Sequence, residues 1–293
     1  MFHRLLFCLV LFLISAPAYA VVILDSTWIK NGGSKASPAN GFGPAIALAR
    51  QEQFRSLVAL SADRGNTWGD CSGVWIGNSQ NHGYILTAAH CFGKDSPPSG
   101  FMVRTQGGST LAVVGSVIHE KWVDVETTTG YDLAILRVSR PIEDAGSPPN
   151  LYGGKSELKK VLTFMGYGMR GIASIGENVD FHDGRVLPAA AQGIIDVVED
   201  QEKYLGVFFP AENGSIKNPY GGSNLPFNSL VGALGSGDSG GPAWIKINDK
   251  WVLAGINSNG TGKSEAGESS YFVRISANQA WITKNAPMVR FVR

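Results

Sequence analysis

From Phe54 onward the chain is a succession of short apolar segments set apart by turn residues. "SLVALS", "CSGVWIG", "YILTAAH", "LAVVGSVI", "DLAILRV", "VLTFMGYG", "GIIDVV", "YLGVFF", "AWIKI", "WVLAGINS" and "YFVRIS" all have the length and the Val, Ile and aromatic content of strands. No long amphipathic helical pattern occurs before "SANQAWITKNA", residues 276–286. Many short strands joined by Gly-rich turns predict an all-β protein, a sandwich or a barrel. "SPPN" at 147–150, with "LYGGKSE" after it, divides the strands into two similar sets. Residues 21–50 begin apolar and then turn Gly-, Ser- and Pro-rich in "NGGSKASPANGFGP", so they read as a loosely structured leader.

The N-terminal segment "MFHRLLFCLVLFLISAPAYA" places Arg4 before an apolar run and ends in Ala18-Tyr19-Ala20. That order is expected of a secretory signal peptide cleaved after Ala20, giving a secreted or periplasmic protein. The run from Leu5 to Ser15 is shorter than the roughly 20 residues a membrane-spanning helix needs. No later segment is apolar enough to span, so no stable membrane anchor is expected. Cleavage removes Cys8 and leaves Cys71 and Cys91. In an oxidising compartment these two are most simply one disulfide; the alternative is a pair of free buried thiols. A bridge across a loop of roughly 20 residues is worth on the order of 3 kcal/mol.

Losing Arg4 and no acid takes the formal charge from +1 to 0. The chain has no basic stripe, which argues against nucleic acid as a partner. No cluster of His, Cys, Asp and Glu has metal-ligand spacing, and the loop after Cys91 carries only Asp95 and Glu120 as acids. Neither a metal nor a cofactor is expected, and a monomer is.

"GSGDSGGP", residues 235–242, surrounds one hydroxyl, Ser239, with glycines. A flexible surface turn has this composition. So does a nucleophile whose backbone must take a shape that side chains would block, provided a base removes its proton. "YILTAAHC" ends a strand in His90-Cys91, where a Cys71–Cys91 bridge between paired strands would pin the histidine. "YDLAILRV" sets Asp132 before an apolar strand, where an acid can hold a histidine tautomer. His82 and His182 lie in polar, loop-like stretches without a partner motif.

"LTAAHC", "DLAIL" and "GDSGGP", in that order, resemble the chymotrypsin-like (trypsin-like) serine proteases. The likeness covers most of residues 52–285 and includes "VIHEKW", "GYG" at 166–168, "AGINSNG" and the closing "WI" helix. With a single possible disulfide, the chain resembles some secreted bacterial members of that family. The resemblance implies two six-stranded antiparallel β-barrels, the first about 52–148 and the second about 151–275, with a C-terminal helix at about 276–286. It implies a peptidase domain at 51–286, preceded by a leader or activation segment at 21–50. His119 falls at a structural position of the family.

Carried onto this sequence, the family's mechanism makes Ser239 the nucleophile, His90 the base and Asp132 the orienting acid. The N–H groups of Gly237 and Ser239 form the oxyanion hole. Gly240 and Gly241 let the backbone pass close to the nucleophile. Substrates are proteins or peptides. Asp238 corresponds to the acid that pairs with a freed Ile or Val amino terminus. No basic residue followed by Ile/Val-x-Gly is present; signal cleavage exposes Val21-Val22, far upstream of the first core strand. Either residues 21–50 loop back to deliver that terminus, or another cut frees one, or Asp238 pairs otherwise. The pocket floor is expected at Ala233 beside Leu234, with walls from Ser236, Ser258, Asn259, Gly260 and Ser269. Without an acid on the floor, an uncharged, small to medium side chain is expected before the scissile bond, not Arg or Lys. Two other functions fit the same fold: a binding protein that has lost catalysis, and an esterase using the same three residues. All three residues are present, which disfavours the first.

Overall fold

A computed structural model of the chain describes residues 21–92, 100–124, 129–199 and 203–293. The expected signal peptide at 1–20 and Asp95 lie outside these residues. Twelve strands close into two rings of six, every neighbour within a ring antiparallel. Around the first run Leu57–Ser61, Cys71–Asn78, Gly83–Thr87, Ala134–Val138, Thr110–Ile118 and Met102–Thr105. Around the second run Pro242–Ile247, Val161–Gly166, Ala189–Glu199, Tyr204–Phe208, Ser269–Arg274 and Lys250–Gly260, which pairs back with Pro242–Ile247. Closure leaves no unpaired strand edge within either ring.

Eleven of these strands are the apolar segments legible in the sequence. The twelfth, Met102–Thr105, exposes Arg104 and is too short and mixed to stand out. Two further three-residue strands, Asn150–Tyr152 and Arg290–Val292, extend the second sheet in parallel beside Lys250–Gly260.

The apolar runs are continuous because both faces of several strands are buried. Val58 and Leu60 point into the first barrel with Trp75, Ile85 and Leu136. Leu57 and Ala59, on the other face, join Val74, Leu86 and Ile135 in a seam against Met165, Trp244 and Ile256 of the second barrel. Burying each such aliphatic side chain contributes roughly 1.5–3 kcal/mol before the entropy of ordering it. The Ile275–Asn278 turn leads into the helix Gln279–Asn285, whose Trp281 and Ile282 enter the same seam. A seven-residue helix is marginal alone, and this packing holds it.

Residues 21–50 are not loose, contrary to the expectation from composition. Val22–Ile23 forms a strand, parallel to Gly171–Ile172 and antiparallel to Gly232–Ala233. Short helices follow at Asp25–Lys30 and Gly43–Ala49. Trp28, Phe42 and Ala45 are buried in the second barrel's cluster, and the Trp28 indole N–H donates to the Pro38 carbonyl at 2.9 Å. At Gly41, with φ +91°, a Cβ would lie 2.5 Å from both the ring and the carbonyl of Trp28. Helices of six and seven residues are too short to show a 3.6-residue period, so the Gly-rich turn between them dominates the sequence. Among the described residues no helix is long and apolar enough to cross a membrane.

The Cys71–Cys91 disulfide is present, with Cα atoms 6.2 Å apart. It links the start of Cys71–Asn78 to the turn after its hairpin partner Gly83–Thr87. A buried ion pair fixes the second barrel. Both oxygens of Glu157 accept from the Arg274 guanidinium at 2.8 Å, and the Ser276 hydroxyl donates to Glu157 Oε1 at 2.9 Å. Removing one member of such a pair leaves a buried charge without its counterion. Glu157→Ala is expected to destabilise the fold by about 3–5 kcal/mol, read as a lower denaturant midpoint at an unchanged slope.

Candidate active site

Strand pairing alone brings His90 and Asp132 together. Gly83–Thr87 and Ala134–Val138 are antiparallel neighbours, with Thr87 opposite Ala134. His90 lies three residues beyond the end of one strand and Asp132 two before the start of the other, so both emerge at the same end. His90 sits in the single turn Ala89–Cys91, beside the disulfide. Its backbone N–H donates to Asp132 Oδ1 at 2.9 Å and its ring Nδ1 meets Oδ2 at 2.7 Å. Asp132 is fully buried. A carboxylate only accepts, so Nδ1 carries the proton and Nε2 of the neutral ring is an acceptor. Ser239 Oγ lies 2.7 Å from Nε2.

Ser239 occupies a turn wedged between the barrels. Its carbonyl accepts from Ser72 N at 2.8 Å, and the Ser72 hydroxyl donates to the Gly237 carbonyl at 3.0 Å. From the other barrel, Asn257 donates its side-chain amide to the Asp238 carbonyl at 2.9 Å, and its own carbonyl accepts from Gly240 N at 2.8 Å. Gly240 has φ +81°, and a Cβ there would stand 2.0 Å from Thr87 Oγ1. Gly237 has φ +89°. Among the described residues no protein group accepts from the N–H of Gly237 or of Ser239.

Asp238, next to Ser239, is wholly buried. Its Oδ1 accepts from Gly168 N at 2.9 Å; its Oδ2 accepts from Gly235 N at 2.8 Å and Val21 N at 3.1 Å. Burial outweighs these amide bonds and pushes its carboxyl up to about 7. Residues 21–50 thus fold back far enough to set the Val21 amide on Asp238. Val21 is buried and holds a positive φ of 55°, unusual for a β-branched residue.

A cavity of about 230 Å³ opens beside Ser239. It is lined by His90 and Ser239, by Leu234 and Ser236, and by Ser258, Asn259 and Gly260. Ala233 and Ser269, also expected there, are buried outside the lining: Ala233 pairs with Val22, and Ser269 N donates to the Thr261 hydroxyl. Two roles were missed in the sequence. Ser258, besides lining the cavity, donates its hydroxyl to Asp132 Oδ2 at 2.6 Å. Glu177, from the Gly176–Glu177 strand, joins the lining. No local pattern marks either, because both act through long-range pairing. His119 is buried, stacked on Trp281 with ring centroids 4.8 Å apart, and burial lowers its pKa. His82 Nδ1 donates to the Val138 carbonyl at 2.9 Å. Neither belongs to the site.

Two closed six-stranded barrels with a Ser, His and Asp meeting at their seam define the chymotrypsin-like class of protein. The trypsin family model matches residues 47–181, which span the first barrel with His90 and Asp132 and the opening strand of the second. Over these residues the chain is similar to the chymotrypsin-like serine proteases, and the match supports that family.

The Ser258–Asp132 contact is a hydrogen bond to a buried acid, a kind worth about 1.5–3 kcal/mol. Ser258→Ala is expected to lower unfolding free energy by that amount while leaving the disulfide and barrel circular dichroism intact, as equilibrium denaturation checks.

Proposed function

We propose that the protein is a secreted serine endopeptidase that cleaves peptide bonds through an acyl-enzyme intermediate. The observation that carries this reading is the unbroken hydrogen-bond chain from Ser239 Oγ to His90 and on to Asp132, at 2.7 Å for each link. Ser239 Oγ bonds to the scissile carbonyl carbon as its proton moves to His90 Nε2. The carbonyl oxygen becomes an oxyanion beside the N–H groups of Gly237 and Ser239. As the C–N bond breaks, His90 gives its proton to the departing amine. Water then attacks the acyl-enzyme and delivers a proton to Nε2; that proton returns to Ser239 Oγ as the acid leaves. Asp132 holds the Nδ1–H tautomer throughout and stabilises the imidazolium. Leu234 gives the cavity an uncharged base, which favours a neutral side chain there.

Maturation belongs to the same reading. Cleavage after Ala20 turns the Val21 amide, already 3.1 Å from Asp238, into an ammonium group at the same place. The ion pair would then replace a buried carboxyl held only by amides.

Two outcomes are expected. The exported protein reacts with a fluorophosphonate probe at Ser239 and hydrolyses peptides; Ser239→Ala does neither, with kcat lower by on the order of 10⁶-fold. Undiminished hydrolysis by purified Ser239→Ala protein sinks the assignment, and hydrolysis of esters without peptides turns it to an esterase.

A protein retaining one extra residue before Val21 is expected to lose activity by on the order of 100-fold, since it forgoes a buried pair worth roughly 3 kcal/mol. In that extended form the Asp238 carboxyl, at about 7 when folded against 3.8 unfolded, holds its proton in the folded state alone between those values. Stability is therefore full below the lower value, falls as pH rises toward about 7, and is level above it. The mature protein, with its ammonium partner, escapes this loss; melting temperatures of both forms across that pH range check it.

A further inference from the structure

Glu177 lines the cavity beside Ser239, and none of the steps above uses it. Its backbone is fixed from behind. Glu177 N donates to the Lys263 carbonyl at 3.0 Å, and Gly176, with φ +75°, is pressed so close that a Cβ there would stand 2.3 Å from that same oxygen. Its carboxylate is fixed in front. Oε2 accepts from Ser236 N at 2.6 Å and Oε1 accepts from the Ser236 hydroxyl at 2.7 Å. Ser236 is exposed and Glu177 half-buried, so the anion sits at the mouth with lone pairs left over on both oxygens. Among the described residues it is the one carboxylate in the lining, and His90 is the other titratable group.

Its place has an electrostatic consequence. Ser236 directly precedes Gly237, whose N–H is free for a developing oxyanion. A fixed negative charge one residue away opposes that oxyanion unless a cation stands beside it. The reach of its field is visible at Asp238: burial is the main cause that raises the carboxyl there, and the Glu177 charge adds to it. The rest of the cavity, as lined by the described residues, offers no second carboxylate. Leu234 lines it, and the Ser264 hydroxyl donates to the Leu234 carbonyl, so a Lys or Arg stem pushed inward leaves its charge without a partner. The cation has to stay at the mouth, on a residue other than the one that fills the cavity.

We propose that Glu177 is a specificity-determining residue, selecting peptides that carry Lys or Arg at a position flanking the residue seated in the cavity. This rests on the serine-peptidase reading above. The pair is solvent-facing, so the preference weakens as salt screens it.

The experiment compares matched peptides that differ only in Lys against norleucine, placed in turn at each position flanking the cut, by the ratio of their kcat/KM values. The mature wild-type protein is expected to favour Lys about tenfold at one flanking position, an advantage that shrinks in high salt. Glu177→Gln keeps both contacts to Ser236, since its oxygen accepts the N–H and its amide donates to the hydroxyl, but removes the charge; the ratio should fall to about one. Glu177→Lys should reverse it in favour of norleucine. Fluorophosphonate labelling of each protein reports whether Ser239 is still assembled. If labelled wild type shows no Lys preference, or one indifferent to salt or to Glu177→Gln, the Glu177 assignment is overturned and the peptidase reading stands. If wild type neither labels nor cleaves, both are overturned.

Discussion

Asp238 has no exposed surface, and its two oxygens are satisfied by three backbone N–H groups from distant parts of the chain: Val21, Gly168 and Gly235. A buried carboxyl that loses its partners is costly, so these segments are bound to keep their places around it. Ser239 follows directly. Its position is thus set less by its own contacts than by the neighbour that cannot turn outward. Gly235 and Gly168 are close to the limit of approach: a Cβ at Gly168 would lie 2.2 Å from Asp238 N. The density of glycine in this turn follows from that crowding.

The same logic of shared constraint holds across the seam. One barrel supplies His90 and Asp132, the other supplies Ser239 and Ser258, and the alignment of all four depends on two closed sheets docking in one register. Ser72 does much of this. Its amide, hydroxyl and carbonyl hold Ser239, Gly237, Tyr167 and Thr87 at 2.7–3.0 Å, bridging the start of a first-barrel strand to the Ser239 turn. Close-packed interiors transmit small shifts instead of absorbing them, so apolar residues of the seam such as Leu57 and Trp244 bear on the 2.7 Å links without touching them.

What the sequence revealed, and what it hid, follows from the range of each interaction. Strands such as Leu57–Ser61 and Val161–Gly166 announce themselves because burial on both faces demands an apolar run. The His90, Asp132 and Ser239 segments are legible because each carries its chemistry in a local motif. Met102–Thr105 is not, since its neighbours supply the pairing and its own residues need only tolerate it. Residues 21–50 misled because Gly, Ser and Pro were read as slack; here they turn the chain tightly around Trp28. The bond from the Ser258 hydroxyl to Asp132 was hidden for a related reason: sequence order does not say which side of a strand edge meets Asp132.

The small sheet beside the second barrel joins features that the sequence presents as unrelated. Its strand order runs from Gly176–Glu177 through Gly171–Ile172 and Val22–Ile23 to Gly232–Ala233. Val22–Ile23 is the middle partner, paired on both edges, so the strands that carry Glu177 and Ala233 have no contact in the sheet except through it. Strands of two residues have almost no stability of their own. If Val21 is not seated on Asp238, the central strand has no anchor, and the wall bearing Glu177 loses its backing together with the backbone beside Leu234. The seating of Val21 on Asp238 and the shape of the cavity beside Ser239 are therefore one structural event, communicated through four hydrogen-bonded dipeptides instead of through the barrels, which are complete without them.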